Sequence, residues 1–117
     1  MYLIPKEKLP EVRRMLDDAR LKYDSNLAYG AERLRETLIE SGMAQVTSKD
    51  SLVKGRSYGC IEYHLGATAI RENRQIPYHG EIYLCKWYWD GSQFYTINAW
   101  GVQSFRLMLS HPVIELD

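Results

Sequence analysis

The sequence predicts an α+β domain: a pair of N-terminal helices packed on an antiparallel meander of about four or five strands, either as two layers or as a cone-like sheet around a pocket. Three observations carry this expectation. Apolar residues recur at helical spacing in two stretches between residues 10 and 41. From Met43 onward the spacing changes to alternation. Finally, Asp90-Gly91 separates two runs rich in aromatic and β-branched residues, Glu81 to Trp89 and Gln93 to Trp100.

The first helix is expected over residues 10–24. Val12, Met15, Leu16, Ala19 and Tyr23 fall on one face, and Pro10 suits a first turn, where its missing N–H has no partner to lose. Asp24-Ser25-Asn26 breaks this helix and supplies N-cap residues for a second, expected from Leu27 to Ser41. Leu27, Ala31, Leu34 and Leu38 form its stripe, and Gly42 stands where a left-handed C-cap is usual. Gly30 lies inside this helix, where glycine costs roughly 1 kcal/mol relative to alanine. Either the two helices approach closely there or the second helix starts later.

Met43 to Val46 reads as a short strand and Thr47 to Gly55 as a polar loop. Ser57 to Leu65 alternates, with Ile61, Tyr63 and Leu65 on one face and Tyr58, Cys60, Glu62 and His64 on the other. Ala67 to Arg74 fits a short helix as well as it fits a strand with a polar turn. Asp-Gly between the two aromatic runs signals a hairpin, because both residues tolerate positive φ. Its side chains sort into an aliphatic face (Ile82, Leu84, Lys86, Tyr88, Gln93, Tyr95, Ile97, Ala99) and an aromatic one (Tyr83, Cys85, Trp87, Trp89, Phe94, Thr96, Asn98, Trp100). Gly101 permits a second turn, Val102 to Leu109 returns as a strand, and His111-Pro112 ends it before a short tail.

At 117 residues the chain has the length of one domain, expected to span 1–117, and can bury a core without a disulfide or metal staple. Fifteen basic and fifteen acidic residues balance, which argues against a dedicated nucleic-acid binder. Two cysteines with no C-x-x-C spacing, no apolar leader and no run near the ~20 residues of a membrane span point to a cytoplasmic protein with reduced thiols. The sequence holds no dinucleotide-binding glycine motif, P-loop, H-E-x-x-H or G-x-S-x-G, so neither a cofactor nor a metal is called for.

Glu62 and His64 share a strand face and are the best acid–base candidates, although that face could equally be solvated. Cys60 is too far along the strand from His64 to pair with it; His79 or His111 would have to be brought in by the fold. Cys60, His64, His79 and Cys85 lack the close-spaced pairs of a structural zinc site. Among the basic residues, Lys54, Arg56, Arg71 and Arg74 have the fewest acidic neighbours. Converging near Trp87 or Trp89, they would suit single-stranded nucleic acid.

Aromatic residues make up 12% of the chain, and both hairpin faces are apolar although a helix pair needs cover only one. The expected function is therefore a non-enzymatic macromolecule-binding protein of the adaptor, immunity or inhibitor type, such as phages and other mobile elements encode. It would engage a partner, a protein first of all, through Tyr83, Trp87, Trp89, Phe94 and Trp100. The alternative is a small-ligand pocket protein or small enzyme with a cone-like sheet of the NTF2-like kind. That pocket would use Glu62 and His64, with Arg56, Arg71 and Arg74 as further polar residues. Single-stranded nucleic-acid binding ranks third, and a homo-oligomer is compatible with any of these.

Overall fold

The structure is a computed structural model, in which residues 1–64, 80–97, 101, 103–106 and 110–117 are described. The helices form where periodicity and caps place them, as α1 (Leu9–Lys22) and α2 (Leu27–Glu40). Pro10 lies in the first turn of α1, and Asn26 caps α2 by accepting the Tyr29 N–H at 3.2 Å. Gly42, with φ of 79°, follows α2 in the left-handed conformation expected of it. Gly30 settles as a packing contact, since a Cβ there would stand 2.7 Å from Tyr23 Cβ.

The strands are β1 (Tyr2–Ile4), β2 (Gln45–Val46), β3 (Ser57–His64), β4 (Glu81–Trp89), β5 (Phe94–Ile97), β6 (Gln103–Arg106) and β7 (Pro112–Glu115). They make a mixed sheet in the order β2-β1-β7-β3-β4-β5-β6. The meander β3-β4-β5-β6 is antiparallel, as the alternation implies. The hairpin turn spans Asp90 to Gln93, between the paired ends Trp89 and Phe94. Asp90 Oδ1 accepts the N–H groups of Ser92 and Gln93, both at 2.8 Å, and these bonds hold its carboxyl below the usual aspartate range.

The sequence reading missed two strands. The tail after His111 is not a tail: β7 lies between β1, to which it runs parallel, and β3. Pro112 tolerates this place because it is the first residue of its strand. Residues 66–77, together with Ala99 and the ends of the return strand at Val102, Leu107 and Leu109, lie outside the described residues.

Helices α1 and α2 pack together and over β3, β4 and β7. Their buried stripes (Val12, Leu16, Ala19; Ala31, Leu34, Leu38) meet Ile4, Ile61, Ile82 and Ile114 in the first core. Two arginines fasten this layer. Arg20 Nε donates to the Ile82 carbonyl at 3.1 Å, and Arg35 Nη1 donates to the Ile61 carbonyl at 3.0 Å. No described helix is long and apolar enough to cross a membrane.

Candidate functional site

Alternation along β3 and β4 sends Tyr58, Cys60, Glu62 and His64, with Tyr83, Cys85, Trp87 and Trp89, to the sheet face opposite the helices. There a second core forms from Leu52, Tyr58, Cys60, Trp87, Trp89, Phe94 and Val113. Its rings meet closely: Trp89 and Phe94 have centroids 4.9 Å apart, and Tyr58 meets Phe94 edge-on at 5.8 Å. Of the aromatic residues expected to bind a partner, Trp87, Trp89 and Phe94 are thus buried and hold the fold together. Tyr83 stands at the margin, 37% exposed, and Trp100 lies outside the described residues.

The polar candidates gather at the outer end of this face. The Glu62 side chain is only 6% exposed, so the expectation of a solvated face does not hold for it, while His64 is half exposed. The cause is the aromatic lining of β4. Trp87 Nε1 donates to Glu62 Oε2 at 2.9 Å, and the other carboxylate oxygen, Oε1, lies 3.7 Å from His64 Nε2. The His64 ring lies along the Tyr83 ring, with centroids 6.5 Å apart and planes 30° from parallel. Cys85 completes the group: its thiol, the Glu62 carboxylate and the His64 imidazole place donor atoms within 4.8 Å of one another.

His111, not His64, is the histidine beside Cys60, with Nδ1 3.8 Å from Sγ. Cys60 itself is fully buried in the second core. The four residues weighed for zinc therefore do not assemble as a set among the described residues; His79 lies outside them. Arg56 is exposed in the loop before β3, and its carbonyl accepts the Trp89 N–H at 3.2 Å. Arg71 and Arg74 lie outside the described residues, and Trp89 is too deeply buried to stack a base. A groove of about 180 Å³ opens between α1 and α2, lined in part by Met15, Ala19, Tyr23, Arg33 and Leu34.

The sequence reading did not single out one further surface, on the aliphatic hairpin face that the helices partly cover. Seven strands at ~4.8 Å spacing span about 29 Å, whereas two helices of ~10 Å diameter cover about 20 Å. Beyond the helix-packed area, Tyr88 and Tyr95 are cross-strand partners whose rings stack with centroids 5.5 Å apart. Both are half-buried and, among the described residues, belong to neither core. Ile97, 53% exposed, follows on β5, and Lys86 Nζ lies 5.9 Å from the Tyr88 ring centroid. The available signal was strand count against helix count. Comparison with protein-family models, with curated proteins and with solved structures finds no match to this chain.

Proposed function

We propose that this protein works by binding another protein, through the wing of the sheet formed by Lys86, Tyr88, Tyr95 and Ile97. The observation that carries this reading is the Tyr88–Tyr95 stack, half-buried, outside both cores and continued by the exposed Ile97. Tyrosine brings a large apolar body with a polar tip and few rotatable bonds, which is why it recurs at the centre of protein interfaces. Lys86 sets the charge at the margin, so the partner presents an apolar patch with an acidic group beside it. The absence of catalytic motifs from the sequence agrees with a protein that acts by occupying a surface. The adaptor, immunity and inhibitor roles all fall within this class.

Photocrosslinking from position 97 in producing cells, followed by mass spectrometry, tests the proposal. Ile97→Asp should abolish co-purification of the cross-linked protein, whereas Leu21→Asp, on the 80% exposed outer side of α1, should leave it intact. Equal capture by both variants would remove the reading.

A further inference from the structure

We propose that Glu62, His64 and Cys85 form a zinc-binding site, with Glu62 Oε1, His64 Nε2 and the Cys85 thiolate as ligands. The site lies on the opposite face of the sheet from Tyr88 and Tyr95 and is independent of the partner surface.

The donors converge from two neighbouring strands, β3 and β4, at the outer end of the sheet face. Glu62 and His64 are two positions apart on β3, and Cys85 lies on β4 opposite Cys60. All three donor atoms fall within 4.8 Å of one another. Zinc bonds of ~2.0–2.2 Å to nitrogen and oxygen and ~2.3 Å to sulfur place tetrahedral ligands about 3.3–3.6 Å apart. Glu62 Oε1 and His64 Nε2, at 3.7 Å, already have nearly that separation. The two edges to Cys85 are no longer than 4.8 Å, and closing them takes a movement of about 1 Å, shared between the Cys85 thiol, the Glu62 carboxylate and the half-exposed His64 side chain.

The chemistry of the set selects the metal. Magnesium and calcium take oxygen ligands, whereas one imidazole nitrogen, one thiolate and one carboxylate oxygen suit zinc. The carboxylate is also held as a ligand needs to be: Trp87 Nε1 occupies Oε2 at 2.9 Å and leaves Oε1 turned toward His64. Tyr83 lies alongside the imidazole ring, with centroids 6.5 Å apart and planes 30° from parallel. Three protein ligands leave a fourth position for water, as in zinc sites that exchange a ligand. On binding, the Cys85 thiol proton passes to solvent and the cation compensates the buried Glu62 charge. Sequence spacing hides the site, because its ligands meet across two strands rather than as a close-spaced pair.

The test is titration of the metal-free full-length protein with Co²⁺ and then Zn²⁺, in wild type and in Cys85→Ser, Glu62→Gln, His64→Ala and Cys60→Ser. One equivalent of Co²⁺ should give a thiolate-to-cobalt charge-transfer band that Zn²⁺ displaces. The band should vanish in Cys85→Ser and persist in Cys60→Ser, and Glu62→Gln and His64→Ala should each weaken Zn²⁺ binding by at least about tenfold. His64→Ala alters a half-exposed position outside both cores, so it keeps the test decisive if Cys85→Ser fails to fold. A wild type without the band, a band that survives Cys85→Ser, or unchanged Zn²⁺ affinity in His64→Ala overturns the proposal.

Discussion

The Trp87 indole N–H donates to Glu62 Oε2 at 2.9 Å, although in the strand ladder Trp87 stands opposite Tyr58. The indole reaches along β3 to a carboxylate that is 6% exposed, and so joins the second core to the polar corner of the same sheet face. A hydrogen bond to a charged group is worth about 1.5–3 kcal/mol, and removing the donor leaves a buried carboxylate short of a partner. Trp87→Phe is therefore expected to lower stability by at least about 2 kcal/mol in urea unfolding. The same change in a Glu62→Gln background should cost less, because a neutral amide is cheaper to leave unsatisfied. Equal costs in both backgrounds would show that the bond does not carry the effect.

Gly30→Ala poses helix propensity against packing. Alanine favours the helix by roughly 1 kcal/mol, but its Cβ would stand 2.7 Å from Tyr23 Cβ and force α1 and α2 apart. Overpacking of this kind costs about 1–3 kcal/mol, so a net loss of stability is expected in thermal or urea unfolding. A stabilised variant would mean that the helices are not in close contact there.

Asp90 and Asp117 give the protein an acid limb. Backbone N–H groups of Gln93 and Ser92 hold the Asp90 carboxyl below its ordinary range, and the Ser57 N–H, at 2.8 Å, does the same for Asp117. A carboxyl whose folded pKa is depressed adds stability above its unfolded value of about 3.9, and that contribution is lost as pH falls through the folded value. Stability of the wild type should therefore decline below about pH 4, and Asp90→Asn with Asp117→Asn should flatten that decline. An unchanged acid limb in the double variant would exclude these two groups as its source.

The two hairpin faces differ in what they tolerate. Phe94 is fully buried in the second core, and Phe94→Ala should cost about 3–5 kcal/mol. Ile97 is 53% exposed on the proposed partner surface, and Ile97→Asp should stay within about 1 kcal/mol of wild type. Parallel urea unfolding of the two variants measures the contrast.

Elements whose cause is local were legible in the sequence. Periodicity and the Asn26 cap placed α1 and α2, alternation placed β3 and β4, and Asp90-Gly91 placed the turn. The β1–β7 pairing was not legible, because it joins Leu3 to Val113 through parallel pairing that no local pattern announces. The hairpin faces sort as the alternation implies over the described residues, Glu81 to Ile97, but what covers each face depends on the tertiary arrangement. Trp87, Trp89 and Phe94 have the composition of an interface and the position of a core. Tyr88 and Tyr95 have the composition of a covered face and lie beyond the helix-packed area. Glu62 and His64 lie on one face, as their spacing implies. Cys85 and Trp87 complete the corner through side-chain reach across strands, which alternation does not reveal.

The sheet carries a core on each face, the second built on Trp87 and Trp89, which are 4% and 3% exposed. Acrylamide quenching of tryptophan fluorescence in a Trp100→Phe variant tests it most directly, because only these two indoles then report. Quenching should be weak in the native protein and rise to that of a free indole in step with cooperative urea unfolding. Strong quenching in a variant that still unfolds cooperatively would rule out the second core and return the aromatic face to solvent.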